Sequence, residues 1–360
     1  MIRVGIRLRG LRDGRLTDMD VNHDPGATTA RARIAPLEDA AAQPIPSGNG
    51  GWIRVGTASW TDPTMTTAGV FYPAGADTAE ERLQYYAAQF PVVEVDATYY
   101  ALPALRTSEL WVERTPPDFI FNIKAHALMT GQPTETKRLP KMIRDTLPEA
   151  VRAKPRVYAK DIPADALDAV WATFRDGLAP LVERSQLGSV LLQYPRWVFP
   201  SNESRAAIEE AAERLAGWRC AVEFRNGSWL NEKNAERTLR FLSDHDLAFV
   251  MVDEPQGFKS SVPPTVAVTS PDLAIVRFHG RNADTWEARG ISPAERFRYL
   301  YDRDELRAWV PRVREAATKA RETFVLMNNC FSNYGTTNAR EIAALLNDLQ
   351  LPEDEPRRSR

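Results

Sequence analysis

The sequence AIVRFHG at residues 274–280 carries an apolar run that ends in an arginine and a histidine, and the chain contains eight such runs. The other seven are WIRVGT (52–57), VVEVDAT (92–98), FIFNIKAH (119–126), SVLLQYP (189–195), CAVEFR (220–225), AFVMVD (248–253) and TFVLMNN (323–329). Stretches of helical character separate most of these runs, so strands and helices alternate along the chain. Eight units of this kind predict an α/β fold, a (β/α)8 TIM barrel that forms a single domain.

Composition divides the 360 residues into three parts. Residues 52–351 hold all eight runs and define the barrel domain. Residues 1–51 precede it, and the stretch 24–51 is rich in Ala, Pro, Gly and Arg without a period, which predicts a flexible, largely irregular N-terminal extension. The opening MIRVGIRL could add a strand, although no partner for it is evident. Residues 352–360 predict a polar C-terminal tail.

Three connecting segments have distinct sequence patterns. Thr78 and Glu81 form a capping-box pattern, which predicts a helix over residues 78–90. Residues 254–271 are rich in proline and predict an irregular crossover. Residues 127–160 form a long insertion after the third strand, and it carries eight cationic residues: Lys137, Arg138, Lys141, Arg144, Arg152, Lys154, Arg156 and Lys160. This insertion is either a solvated surface excursion or a lid that prefers anionic substrates.

Charge and composition indicate a cytoplasmic protein. The net charge of −2 argues against a protein that coats nucleic acid or membranes, although it leaves room for a local basic patch. Cys220 and Cys330 belong to no Cys-x-x-Cys pair and are expected to be free thiols in a reducing compartment. No apolar run approaches the length of a membrane span, and arginines interrupt the apolar residues of the N-terminus.

Charged and amide side chains end the predicted strands. Because side chains alternate between the two faces of a strand, residues two apart share a face. Three such pairs are Glu94 with Asp96, Glu223 with Arg225, and Arg277 with His279. Lys124, Gln193, Asp253, Asn328 and Asn329 end other strands. Since function lies at the C-terminal strand ends of TIM barrels, these residues predict a site at the barrel mouth.

Residue types at the mouth suggest chemical roles. The catalytic candidates are carboxylates, which can form an acid and base pair, and a histidine, which can move a proton: Glu94, Asp96, Glu223, Asp253 and His279. The candidates for substrate binding are cations for an anion, amides, and rings that stack on sugars: Lys124, Gln193, Arg225, Arg277, Asn328, Asn329, Trp60, Tyr99, Tyr100 and Trp229.

Two other interpretations of the same ring remain open. Glu223, Asp253 and His279, together with Glu94, could bind a divalent metal, which is the one cofactor that the sequence suggests. The ring could instead be a buried network of ion pairs that closes the barrel mouth. Buried charges in this number are rarely favourable for stability alone, so a functional site is the preferred interpretation.

Several stretches also resemble a known family, domain of unknown function 72, the YecE-like proteins. The matching pieces run in family order: VGTASW (55–60), FYP (71–73), RLQYYAAQFPVVEVDATYYALP (82–103), WVERTPPDFIFNIKA (111–125), LGSVLLQYP (187–195), AVEFRNGSW (221–229), VRFHGR (276–281) and MNN followed by TNA (327–329, 337–339). The resemblance implies a TIM barrel without an established reaction. Sugar isomerase-like and endonuclease-like metal barrels are the nearest proteins in description.

The sequence therefore supports three functional hypotheses. The first is an enzyme that acts on a small polar substrate, phosphorylated or carbohydrate-like, with isomerisation of a sugar as the first reaction to consider. The second is metal-assisted phosphodiester hydrolysis on nucleic acid, with the basic insertion binding phosphates. The third is a non-catalytic ligand-binding or sensor barrel. The sequence does not determine the oligomeric state. It gives no reason to expect a membrane partner.

Overall fold

Eight parallel strands form the centre of the structure, a computed structural model that describes residues 24–34, 37, 39–67 and 69–351. In chain order they are β1 (Trp52–Ala58), β2 (Val92–Val95), β3 (Ile120–Lys124), β4 (Leu187–Tyr194), β5 (Cys220–Phe224), β6 (Ala248–Asp253), β7 (Leu273–Phe278) and β8 (Glu322–Met327). Neighbours in sequence pair, and β1 also pairs with β8, so the sheet closes. The predicted (β/α)8 TIM barrel is confirmed. The predicted N-terminal strand and the tail at residues 352–360 lie outside the described residues.

The strands are apolar because both of their faces are covered. Every residue of β6 and β7 is buried, on one face by the barrel interior and on the other by the surrounding helices. Gly56 permits the contact between β1 and β2 that closes the barrel. A Cβ at this position would lie 2.1 Å from the backbone oxygen of Val92, too close for any other residue.

Helices surround the barrel and connect its strands. The α-helices of the barrel domain, outside the basic insertion, are Ala79–Gln89, Ala97–Tyr100, Leu105–Glu113, Ala164–Glu183, Asn202–Arg214, Ala235–Asp244, Ala283–Trp286, Pro293–Arg296, Arg303–Ala317 and Tyr334–Leu346, and a 3-10 turn covers Gly227–Trp229. The predicted capping box is confirmed, since Thr78 Oγ1 accepts from Glu81 N at 3.1 Å and Glu81 accepts from Thr78 N at 2.8 Å. Residues 254–271 contain neither helix nor strand, as predicted.

The helices that the structure describes include none with both the length and the apolar character needed to cross a membrane.

The basic insertion folds on its own short elements at the carboxyl end of β3. Thr134–Glu135 and Arg156–Val157 pair as antiparallel strands. Two short α-helices, Lys141–Thr146 and Glu149–Arg152, lie between them, and 3-10 turns cover Ala127–Thr130, Thr136–Arg138 and Ala159–Asp161. The insertion is therefore an ordered substructure beside the mouth.

The described part of the N-terminal extension packs on the barrel. An N-terminal helix, Pro25–Ile34, lies against the C-terminal helix, Tyr334–Leu346, and a short strand, Ile45–Pro46, pairs antiparallel with the start of β1. This order differs from the predicted flexible stretch at residues 24–51. Among the described side chains of this helix only Ala27 and Ala30 are buried, and two alanines give no clear hydrophobic period in the sequence.

Asp24 ties this helix to the rest of the protein. Its Oδ2 accepts from Ala27 N at 2.8 Å and from the Tyr334 hydroxyl at 2.5 Å, and its Oδ1 pairs with Arg298. Arg298 lies in the segment that follows β7 at the carboxyl end of the barrel. The extension is therefore linked by an ion pair to a segment beside the barrel mouth.

Replacing the Asp24 carboxylate tests how much its contacts contribute to the stability of the protein. Asp24→Ala should lower the free energy of unfolding by about 1–3 kcal/mol, because the N-terminal cap is lost and a buried hydroxyl loses its partner. Urea denaturation measures the change. Thr29→Ala on the exposed side of the same helix is the control, and equal losses in both variants would show that Asp24 has no special role.

Candidate functional site

A buried arginine lies between two glutamates at the carboxyl end of the barrel. Arg277 on β7 directs one guanidinium nitrogen to Glu223 on β5 and the other to Glu94 on β2. The three side chains are 0–1% exposed. These strands are not neighbours, so the three residues, here called the ion triad, cross the barrel interior.

The two glutamates of the ion triad differ in charge behaviour. Burial raises the pKa of Glu94 to about 7, and the attraction of Arg277 offsets only part of that effect. Burial alone would also raise the pKa of Glu223, but Arg225, Arg277 and His279 together hold it well below its usual range. Glu223 is therefore a fixed anion, whereas Glu94 exchanges a proton near neutral pH.

His279 follows β7 and is held as a neutral ring. Its Nδ1 lies 2.8 Å from Asn328 Nδ2, and its Nε2 lies 3.2 Å from Glu223 Oε1. Burial first, and then the nearby Arg225, lower the pKa of His279 to about 3. Because Nδ1 accepts from the Asn328 amide, the ring hydrogen sits on Nε2 and faces Glu223.

Arg225 contacts both the ion triad and two aromatic rings at the barrel mouth. Its Nε lies 2.5 Å from Glu223 Oε1, an oxygen that also accepts from Gln193 Nε2 at 2.8 Å. The guanidinium carbon lies 5.5 Å from the Trp286 ring centre and 6.0 Å from that of Phe297. Both rings therefore cover the cation beside the buried charges.

Asp96 and Lys124 form a second pair that is open to solvent. Lys124 Nζ lies 3.3 Å from Asp96 Oδ1, and the two side chains are 14% and 28% exposed. The Lys124 ammonium also lies 5.0 Å from the centre of the Tyr99 ring, whose hydroxyl donates to Gln132 at 2.9 Å. Tyr100 beside it is exposed. This pair contributes a cation and a carboxylate at the entrance.

Asp253 does not join the site, contrary to the sequence-based expectation. Its carboxylate accepts from Trp309 Nε1 at 2.6 Å and from the Tyr301 hydroxyl at 2.7 Å, and it pairs with Arg281 at 2.6 Å. These partners belong to the outer layer, so Asp253 supports the helix Arg303–Ala317. Among the residues that the structure describes, no three His, Cys, Asp or Glu side chains are grouped to hold a metal ion. The proposed metal set of Glu223, Asp253 and His279 is thus not assembled.

Glu254, the next residue, occupies the place expected for Asp253. Its Oε1 accepts from Val262 N at 2.7 Å, and its Oε2 lies 3.5 Å from Arg225 Nη1. Burial raises the pKa of Glu254 to about 8, although Arg225 opposes this. Sequence reasoning missed Glu254 because it assigned the inward position to Asp253, the last strand residue, whereas the inward side chain is that of the next residue.

Three further candidates for substrate binding have structural contacts instead. Trp60 packs edge-on against Trp111, with ring centres 5.9 Å apart. Trp229 is fully buried, and its ring stacks on Phe224 at 4.3 Å. The amide of Asn329 donates to the backbone oxygen of Tyr299 at 2.8 Å. The rings that do cover the site are Trp286 and Phe297, and Phe297 lies in a segment without a sequence period.

A cavity of about 570 Å³ opens at the mouth. We call it the acidic chamber, since Asp62 and Asp96 line it, together with Ser59, Tyr100, Phe297, Asn328 and Cys330. Ser59 has φ +102°, a backbone conformation that L side chains rarely adopt. Such strain persists where the surrounding structure enforces it and clusters at functional sites.

The cationic residues of the insertion surround a separate groove. Lys137, Arg144, Arg152, Lys154 and Arg156 line it, and none of its lining residues also lines the acidic chamber. Arg138 alone approaches the mouth, with its guanidinium carbon 5.8 Å from the Tyr100 ring centre. The insertion therefore does not place its cationic cluster over the ion triad.

Comparison with known proteins gives a consistent assignment. A family model described as "Protein of unknown function DUF72" matches residues 54–360. The UPF0759 protein YunF of Bacillus subtilis (strain 168) is 30% identical over 297 residues, which cover 82% of this chain and 94% of that protein. Crystal structures of DUF72 family proteins from Thermotoga maritima MSB8 and Enterococcus faecalis V583 are 29% and 25% identical. Both have a TM-score of 0.64, and they cover 82% and 83% of this chain and 99% of their own.

Removing the shared cation tests the electrostatics of the ion triad. Arg277→Met should destabilise the protein by about 3–5 kcal/mol near neutral pH, because two buried carboxylates lose their partner. Without Arg277 the pKa of Glu94, already raised, should rise further, and the pKa of Glu223 should rise from its depressed value, so the folded protein gains protons relative to the parent and the deficit grows as the pH rises from 5 to 8. Urea denaturation across that range measures it.

Two further variants serve as controls for this measurement. Arg277→Lys keeps a charge and should lose less stability than Arg277→Met. Arg54→Met removes a partner from the pair with Glu322 at the other end of the barrel, where the side chains are 11% and 16% exposed. A deficit in Arg277→Met that is independent of pH would contradict the electrostatic account.

Proposed function

Because the chain belongs to the DUF72 family, whose description assigns no function, we propose a function from the geometry of the barrel mouth. The protein is an acid–base enzyme that acts on a small polar substrate, carbohydrate-like or phosphorylated. Its reaction is proton transfer next to a carbonyl group, of the kind that interconverts aldoses and ketoses. The ion triad, the Asp96–Lys124 pair and His279 supply the reacting and orienting groups.

The state of Glu94 carries this proposal. It is a buried carboxyl whose pKa is raised to about 7, the range in which a general base works at neutral pH. Its Oε1 is bound by Arg277, whereas Oε2 is buried and has no hydrogen-bond partner among the described residues. A carboxylate with one oxygen bound by an arginine and the other oxygen without a hydrogen-bond partner can accept a proton on that second oxygen.

The neighbouring residues fit the other steps of an isomerisation. A substrate in the acidic chamber contacts Asp96 and separates it from Lys124 to reach Glu94 Oε2. Glu94 removes the proton from the carbon beside the carbonyl, and the electron pair forms a carbon–carbon double bond. The Lys124 ammonium stabilises the oxyanion, and Asp96 passes the hydroxyl proton to that oxygen. Protonated Glu94 then returns its proton to the former carbonyl carbon.

Glu223 has a different part in this scheme. It remains ionised throughout, because Arg225, Arg277 and His279 all stabilise its charge. It pairs with Arg277, which also contacts Glu94, and its Oε1 lies 3.2 Å from Nε2 of the His279 ring. Glu223 is therefore a positioning residue, which revises the catalytic role that the sequence suggests for it.

Solvent exchange tests the reaction without knowledge of the product. The protein is incubated in D2O with a panel of aldoses, ketoses and their monophosphates, and NMR detects deuterium at the carbon beside the carbonyl. Glu94→Gln should lower the exchange rate by about 10²-fold or more, as expected for loss of a general base. The control is Glu341→Gln, which removes another fully buried glutamate, paired with Arg33 and Arg303. It should lower stability and keep the exchange.

The pH dependence of the same reaction follows from the pKa of Glu94. A general base works only as the carboxylate, so kcat/KM should rise with pH and reach half of its plateau near pH 7. Rates of the substrate found by exchange are measured from pH 5 to 9. A rate that falls through this range would mean that Glu94 acts as an acid. Binding without exchange for every member of the panel would favour the ligand-binding barrel instead.

A further inference from the structure

A second cavity lies on the other side of Phe297 from the acidic chamber. It has a volume of about 460 Å³, and Phe297 lines both cavities. Its walls include four arginines, Arg196, Arg225, Arg289 and Arg296, and two indole rings, Trp197 and Trp286. We call it the arginine chamber. Arg225 belongs both to its wall and to the contacts of Glu223, so the chamber adjoins the ion triad.

Positive charge in this chamber is not balanced by its own lining. Glu287 is the only acidic residue among those that line it, and its Oε1 already accepts from the Ser260 hydroxyl at 2.8 Å. Burial, and then the charges of Arg196 and Arg225, lower the pKa of Arg296. Positive charges in one cavity repel each other, and an anion that enters the cavity offsets this repulsion.

The four guanidinium groups divide into two kinds. Arg296 is occupied by backbone oxygens, those of Thr285 at 3.1 Å, Ala288 at 2.7 Å and Trp286. Arg225 is occupied by Glu223 at 2.5 Å. Arg196 and Arg289 are exposed, and no ion pair or side-chain hydrogen bond with a described residue engages either guanidinium. Two cations are therefore fixed as part of the wall, and two are available to a ligand.

We propose that the arginine chamber binds the phosphate group of a phosphorylated sugar. This inference rests on the proposed function and names the substrate class of the same mouth. Guanidinium groups match phosphate oxygens in geometry and form the stronger, charge-assisted hydrogen bonds. Arg196 and Arg289 contact the phosphate, and Arg296 adds a positive charge that the backbone oxygens hold in place.

The rings beside these cations support a sugar rather than a bare anion. Trp197 is 52% exposed, a large exposure for an indole, and lines the chamber next to Arg196. Trp286 lies on the same wall, with its ring centre 6.4 Å from that of His279. Aromatic faces stack on the apolar faces of sugar rings. The carbonyl end of the sugar then extends past Phe297 toward the acidic chamber, with Glu94 near the reacting carbon.

The experiment is a binding measurement on the full chain by isothermal titration calorimetry. The probes are ribose 5-phosphate, and ribose and inorganic phosphate as its two parts. Ribose 5-phosphate should bind, inorganic phosphate should bind more weakly, and ribose should not bind measurably. The double variant Arg196→Gln/Arg289→Gln should weaken binding of ribose 5-phosphate by about tenfold or more, since one lost charge-assisted contact is worth about that factor.

A matched variant separates a built site from general attraction of anions. Arg321→Gln removes an arginine that is also exposed but precedes β8 at the opposite end of the barrel, and it should leave the affinity unchanged. Equal weakening in the control and the double variant, or no binding of either phosphate compound to the parent protein, overturns the inference.

The binding result is also distinct from the proposed function. Glu94→Gln should lose exchange and still bind ribose 5-phosphate with the affinity of the parent. Arginine-dependent binding without exchange in any protein would support the chamber and reject the acid–base enzyme. Exchange that requires Glu94 but acts on neutral sugars alone, unaffected by the double variant, would support the enzyme and reject the chamber.

Discussion

One arginine neutralising two glutamates inside the barrel is the interaction on which the rest of the mouth depends. Removing an ion from water costs several kcal/mol, so Glu94 and Glu223 are tolerated only because Arg277 contacts both. One positive charge cannot balance two negative charges fully. Arg225 supplies a second cation to Glu223 but does not contact Glu94, so Glu94 receives less positive charge than Glu223. The difference in pKa between the two glutamates follows from this unequal division.

The groups around the ion triad keep this division in place. Asn328 contacts the His279 ring, and the rings of Trp286 and Phe297 partly cover Arg225. The segment that carries Trp286 and Phe297 is in turn bound to the N-terminal extension through the ion pair of Arg298 with Asp24. Asp24 lies before the residues that match the family, which begin at residue 54. This support of the mouth therefore comes from a part of the chain that precedes the family match.

The sequence predicted the barrel and much of the ion network because both follow simple periods. Strand alternation placed Glu94, Glu223, Arg277 and His279 on inward faces, and the structure has these four in contact. Asp253 was misplaced because register at a strand end changes the face with a single residue, and Glu254 took the inward position. Trp60 and Trp229 were misjudged because an aromatic residue after a strand packs in the core as readily as it lines a mouth.

The two chambers at the mouth differ in the charge of the residues that line them. Asp62 and Asp96 line the cavity on one side of Phe297, and four arginines line the cavity on the other side. A molecule with an anion at one end and hydroxyl groups at the other matches this arrangement of residues, whereas a neutral ligand gains little from it. In the proposed function, Glu94 acts near the hydroxyl end of the substrate, where it removes a proton. The separation of these charges, more than their number, therefore supports the proposed acid–base chemistry on a polar substrate with one anionic end.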